Sequence, residues 1–221
     1  MPELSSSDSG KAARRGRNSL QEAQSRRTHS RLIESAIKEF AERGYSDTNI
    51  EHVLKRAGVS RASFYAHFDG KLSLVCAICE NLMPAWRPLF ENLLTLTDTS
   101  IPSLERWAER YIQYHREYQV VSGLLYRIWN VEARLQELME QHTEGTIDAL
   151  GERYPAFAAA RVDGDQRLRA KLLLWQIDEI SFWVVQGRVA DPAGSAARII
   201  AEHIHTFLNR IPEANAAPRG A

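Results

Sequence analysis

Between Ser60 and Lys71 the chain reads SRASFYAHFDGK, and its polar side chains suit recognition of a nucleic acid. Arg61 can reach a guanine edge or a phosphate. Ser63 can bond a base or the backbone, and the small Ala62 can touch a thymine methyl. Phe64 and Phe68 are four apart and point back toward a preceding helix. That leaves Arg61, Ala62, Ser63, Tyr65 and His67 on the other side. A short rigid helix with a polar outer face suits the DNA major groove, where base edges are read by hydrogen bonds. Ser60 stands where its hydroxyl caps this helix. Asp47-Thr48 is expected to cap the helix before it, and the Thr48 hydroxyl can also donate to a phosphate, since helix N-termini favour anions. Few of these side chains are long, so DNA shape is expected to contribute to site choice.

A second group of residues suits an apolar guest. Trp107, Tyr111, Tyr114 and Tyr118 recur every three to four residues and share a helix face. Tyr126, Trp129, Trp175 and Phe182 add aromatic surface, and Gln176, Asp178 and Glu179 place polar groups in an otherwise apolar segment. A mostly apolar cavity with a few polar groups binds small hydrophobic molecules. The same stripe also reads as plain core, and the acids as partners for arginines across a subunit interface. Catalytic chemistry finds no footing: the chain has no G-x-S-x-G, H-E-x-x-H or P-loop, and no cofactor motif. Cys76 and Cys79 form a C-x-x-C, but inside a helical pattern rather than at a helix start. Buried structural thiols and a redox or metal sensor both remain open, although no second ligand pair stands at zinc spacing.

The elements that must position these groups are helical throughout. Ile33, Ala36, Ile37 and Phe40 predict a first helix from near Thr28, closed by Gly44. Ile50, Val53, Leu54 and Ala57 predict a second, closed by Gly58, and the helix from Arg61 to His67 follows the plug residue Val59. Leu72, Val75, Cys76 and Cys79 on one face, with Leu74, Ile78 and Leu82 on another, predict a buried helix from Lys71 to Met83. Pro84 and Pro88 separate it from a helix over 86–97. Ser103 is expected to cap a helix reaching Tyr118, 120–129 is apolar, Asn130 begins a transition, and Pro155 ends a helix from Leu135. Residues 155–164 read as a loop, and Asp165 starts a helix that is apolar nearly all round over 168–186. In the last helix Ala197, Ile200, Ala201, Ile204 and Leu208 form a stripe with small residues.

With 221 residues the chain is long enough for a small domain and a larger one. Its formal charge is zero, but residues 1–75 hold 13 Lys and Arg against 9 Asp and Glu, and residues 76–221 hold 15 against 19. A basic front on an acidic body fits a DNA-binding head. No apolar run is long enough for a membrane span or a secretory leader, so a cytoplasmic location is expected. Residues 1–27 are poor in large apolar groups and are expected to be a disordered basic arm. Arg14, Arg15 and Arg17 in it read either as a solvated tail or as contacts to phosphates or the minor groove.

Phe40-Ala41-Glu42-Arg43-Gly44-Tyr45, Thr48-Asn49-Ile50, Ala57-Gly58-Val59-Ser60, Ser63-Phe64-Tyr65, His67-Phe68 and Lys71 agree in register with a known signature. This run resembles the N-terminal signature of TetR-family transcriptional regulators over about residues 28–80. The resemblance implies an all-α fold: a three-helix helix-turn-helix domain at 28–74, a larger helical effector-binding and dimerisation domain at 75–211, and a flexible tail at 212–221. It assigns phosphate contacts to Tyr65, His67 and Lys71, and makes the fourth helix the link to the body. It further implies a homodimer through segments 165–187 and 195–210. With it, Trp107, Tyr111, Tyr114, Tyr126, Trp129, Trp175, Asp178 and Phe182 are the expected effector pocket. The function implied is a repressor that binds a palindromic operator and is released by a small hydrophobic effector. The alternative is a non-catalytic small-molecule-binding or scaffold protein of the same fold with weak DNA binding.

Overall fold

The computed structural model describes the backbone of residues 7–129 and 131–210, and the side chains of 20–82, 85–129 and 131–210. The Arg14–Arg17 side chains, Asn130 and the tail from 211 lie outside the described residues. All regular structure described is helical, in two compact units that divide between Ile78 and Cys79.

The first unit contains α1 (Ser7–Arg43), α2 (Ile50–Ala57), α3 (Arg61–Tyr65) and the start of α4 (Lys71–Leu94). α1 begins well before the expected Thr28, and among the described side chains, which start at residue 20, the first buried one is Leu32. Residues 20–27 are mostly exposed strong helix formers, tied by one open Glu22–Arg26 pair at 3.9 Å. The core is Leu32, Ile33, Ala36 and Phe40 against Val53, Leu54, Ala57, Phe64 and Phe68. Buried Glu39 locks α1 to α2: it accepts from Arg43 Nε at 2.8 Å and Arg56 Nε at 2.5 Å, and Arg56 also pairs with Glu42. The hydrogen bond from Arg56 outweighs burial and, with Arg43, holds the Glu39 carboxyl below its ordinary 4.5.

The second unit holds the rest of α4, then α5 (Ile101–Glu117), α6 (Gln119–Trp129), α7 (Ala133–Leu150), α8 (Pro155–Ala159), α9 (Gly164–Val185) and α10 (Ala196–Asn209). Several boundaries differ from the sequence reading. α4 is continuous through both prolines, because Pro88 lies on the exposed side while Leu82, Phe90 and Leu93 bury the other. α5 is entered at Ser100 rather than Ser103: the Asp98 carboxylate accepts from the Ser100 amide at 2.9 Å and the Ser103 hydroxyl at 3.1 Å. Part of the expected loop at 155–164 is the short α8, and Asp163, not Asp165, caps α9.

The core of this unit joins Leu104, Trp107, Ala108 and Tyr111 of α5 to Leu173, Leu174 and Ile177 of α9 and to α10. Ala197, Ile200, Ala201 and Ile204 of α10 are buried there, and α10 packs chiefly along α5. The small-residue stripe therefore serves close packing inside one subunit. The large apolar side chains that stay exposed on α9 and α10 are Leu168, Leu172, Trp175 and Ile199. Among the described residues, no helix is long and apolar enough to cross a membrane.

Candidate functional site

The helix-turn-helix is built by local chemistry. Asn49 caps α2, its side chain accepting from the His52 amide at 3.0 Å while the His52 ring faces the Asn49 amide at 3.4 Å. Gly58 closes α2 at φ +60°, a left-handed value that a β-carbon disfavours. A Cβ there would also come within 3.2 Å of Arg31 Nη2, whose guanidinium donates to the Ala57 carbonyl. Ser60 caps α3, accepting from the Ser63 amide at 3.1 Å. Buried Phe64 and Phe68 anchor α3 from beneath, so Arg61, Ala62 and Tyr65 face solvent and Ser63 and His67 are half-buried. α3 itself stops at Tyr65, short of the expected His67, as the amides of His67 and Phe68 both turn onto the Phe64 carbonyl. Arg61 rests in an open ion pair with Glu51 at 2.8 Å, both about two-thirds exposed, which a competing phosphate or base can replace at little cost.

Two of the expected DNA contacts, Thr48 and Lys71, have partners within the protein. Thr48 neither caps α2 nor faces outward: it is 1% exposed, and its hydroxyl donates to the carbonyls of Gly44 at 2.7 Å and Glu39 at 3.2 Å. Lys71 turns onto the α1–α2 loop, where Nζ donates to the carbonyls of Tyr45 at 2.7 Å and Thr48 at 3.0 Å and lies 4.2 Å from the Tyr45 ring centre. At Gly44, Tyr45 and Thr48 these bonds satisfy loop carbonyls that no helix ladder serves. Ser60, Arg61, Ala62, Ser63, Tyr65 and His67 remain together on the α3 side.

The body contains a cavity of about 720 Å³. Seven of the eight expected pocket residues line it: Tyr111, Tyr114, Tyr126, Trp129, Trp175, Asp178 and Phe182. Trp107 does not. It is fully buried, and its indole donates to the Leu89 carbonyl at 2.7 Å, which makes it core. The cavity wall also includes Trp86, His115, Met139 and His142, which sequence reasoning missed. His115 lies four residues after Tyr111 and so shares its helix face, a signal that was readable. Trp86 and His142 sit on α4 and α7, and only the packed unit brings them in, with ring centres 5.4 Å apart.

Asp178 is the polar centre of the cavity. Its Oδ1 accepts from the Tyr111 hydroxyl at 2.9 Å and faces His115 Nε2 at 3.2 Å, while Oδ2 accepts from the Tyr126 hydroxyl at 2.6 Å. Trp86 Nε1 donates onward to the Tyr111 oxygen at 3.0 Å. Burial pushes the Asp178 carboxyl up, and the hydrogen bonds from His115, Tyr126 and Tyr111 outweigh it, so the net direction is down from 3.8. Burial, and then the Asp178 charge, raise Tyr111, Tyr114 and Tyr126 well above 10, so these phenols stay neutral. The Tyr126 ring stacks on Phe182 with centres 3.9 Å apart. Cys79 is buried at the same wall, Sγ 3.4 Å from Met139 Sδ. Among the described residues no group of three or more His, Cys, Asp and Glu could hold a metal ion.

Residues 32–78 match the profile of bacterial regulatory proteins, tetR family. The HTH-type transcriptional regulator SrpR of Pseudomonas putida is 36% identical over 56 residues, 25% of this chain and 26% of that one. IcaR of Staphylococcus aureus, the negative transcriptional regulator of the biofilm operon icaADBC, is 39% identical over 112 residues, 43% of this chain and 58% of that one. The matched stretch thus spans about a quarter of SrpR and somewhat over half of IcaR. Among solved structures, the transcriptional regulator FadR of Bacillus subtilis in complex with stearoyl-CoA superposes with a TM-score of 0.58 at 17% identity, covering 82% of this chain and 98% of that one. The fatty acid degradation regulator FadR of Bacillus halodurans gives 0.57 at 16% identity, covering 83% and 96%. At such identities the structural likeness establishes the fold.

Proposed function

Because this chain is a TetR-family transcriptional regulator, we propose that it is a ligand-responsive repressor that binds a palindromic operator as a homodimer. The observation that carries the reading is the outward face of α3, held from beneath by Phe64 and Phe68 and from its start by Ser60. In this reading Arg61, Ala62 and Ser63 meet base edges, while Tyr65 and His67 hold phosphates and fix register. Ser60 contributes at the start of α3. The basic arm before Thr28 would add contacts to adjacent phosphates.

Dimerisation would use α9 and α10, whose exposed Leu168, Leu172, Trp175 and Ile199 leave apolar surface for a second copy to cover. The effector site is the aromatic cavity of the body. A neighbour of like fold solved with stearoyl-CoA supports the view that such a body holds an apolar ligand. The ligand releases DNA only if it binds the two states of the protein with different affinity.

The test is fluorescence anisotropy of the full chain on the DNA flanking its own gene, across a salt series. Selective binding that weakens steeply with salt is expected, since phosphate contacts release counterions. No binding to any duplex at low salt would sink the DNA-binding reading and favour the scaffold alternative.

A further inference from the structure

We propose that the body cavity selects lipophilic organic cations, with the positive head group seated on the Asp178 carboxylate and the apolar portion against the surrounding rings. The proposal rests on reading the cavity as the effector site.

The argument begins with the carboxylate. An ionised carboxylate offers about four acceptor positions. Oδ1 has two partners, Tyr111 and His115, but Oδ2 has Tyr126 alone. The Asp178 side chain keeps 34% of its surface open, and the residue lines the cavity. Among the described residues no lysine or arginine pairs with it. The basic side chain within reach is His115, whose Nε2 stands 3.2 Å from Oδ1 and whose Nδ1 is buried without a hydrogen-bond partner. The carboxylate thus lines the cavity with Tyr126 as the one protein donor to Oδ2 among the described residues.

The walls favour the same chemistry. Tyr114, Tyr126, Trp175 and Phe182 surround Asp178 in the lining, and aromatic faces attract cations, the more so out of water. Glu179 adds a second, solvent-exposed carboxylate to the lining. The basic groups of the lining are placed differently. Arg127 is exposed and spends Nε on the Gly123 carbonyl at 2.9 Å, and Arg188 is exposed over the Trp183 ring at 4.4 Å. His142 is kept toward its neutral form by burial and by Arg87. The arginines of the lining therefore stand at solvent-exposed positions, whereas Asp178 stands among the rings. An anionic head group would find a guanidinium only at those exposed positions.

Three probes with one chain length isolate the head group: dodecylammonium, dodecanol and dodecanoate, each below its micelle threshold. Binding to the full-length protein is read by calorimetry and by tryptophan emission, since Trp86, Trp129, Trp175 and Trp183 all line the cavity. The cation is expected to bind about tenfold or more tighter than the alcohol. Asp178→Asn should bring the cation down to the alcohol's affinity and leave the alcohol unchanged. Should that variant fail to fold, Tyr126→Phe decides. It removes the competing donor on Oδ2, so the cation should gain about threefold while dodecanol does not; equal losses for both would overturn the proposal. Tighter binding of dodecanoate than of the cation would overturn the head-group assignment and leave the effector site standing. If none of the three probes changes heat or emission, the effector-site reading falls as well.

Discussion

The two units of the chain turn their polar chemistry in opposite directions. In residues 20–78 the side chains suited to DNA face solvent on α3, while Glu39, Thr48 and Lys71 are spent on holding helices and loop together. In residues 79–210 Asp178, His115 and three tyrosines converge on a cavity between helices, and the exposed faces carry ordinary ion pairs such as Arg198–Glu202 at 3.2 Å. An outward site needs only one short helix to be presented correctly. An inward site needs several helices to meet, so its residues are chosen by packing. This difference explains why the first unit could be read residue by residue and the second only as a stripe of rings.

Substitutions can break or sharpen this contrast. The largest effect is expected inside the body. Trp107→Ala removes a fully buried indole with a bonded N–H and should cost about 3–5 kcal/mol in urea unfolding, whereas Trp129→Ala, at the cavity wall, should cost less than half as much. Equal costs would erase the distinction between core and wall.

On the head, Arg61→Ala should weaken operator binding by about 1–3 kcal/mol and relax sequence preference, with the melting curve unchanged. Unaltered preference in a competition against random sites would remove its base-reading role. Lys71→Ala should do the reverse. Releasing the Tyr45 and Thr48 carbonyls should cost about 1–2 kcal/mol of stability and leave sequence preference intact. If stability holds while affinity for every duplex falls, Lys71 leaves the loop to grip phosphate after all.

Glu39 offers a test in pH. Its folded carboxyl is held below the ordinary 4.5, chiefly by the hydrogen bond from Arg56, so the folded state keeps it ionised where the unfolded state has begun to protonate. That stabilisation is complete above about pH 4.5 and drains away as pH falls through the lowered folded value. Glu39→Gln should flatten this part of the acid dependence of unfolding and lower stability at neutral pH. The smallest effect on stability is expected at Tyr65→Ala, within about 0.5 kcal/mol because the ring is half-exposed, with weaker binding to all duplexes alike.

The sequence was most informative where one residue type answers one local need. Gly58 was legible as the left-handed close of α2, Ser60 as the cap of α3, and Phe64 with Phe68 as its underside, since caps and i,i+4 spacings lie within a single turn of chain. The all-α class and the aromatic face of α5 were legible for the same reason. Seven pocket residues were found because rings at helical spacing mark a face, yet that face continues from cavity into core, and Trp107 could not be told from Tyr111 by spacing. The protein partners of Thr48 and Lys71 were not legible, because they are carbonyls, which no residue pattern encodes. Tertiary structure decided which of two equivalent side chains is core, which carbonyls need a donor, and that α4, α5, α6, α7 and α9 together line the cavity that Asp178 faces. Local propensity is set by neighbours a few bonds away, whereas burial and partner choice depend on helices that meet only after folding.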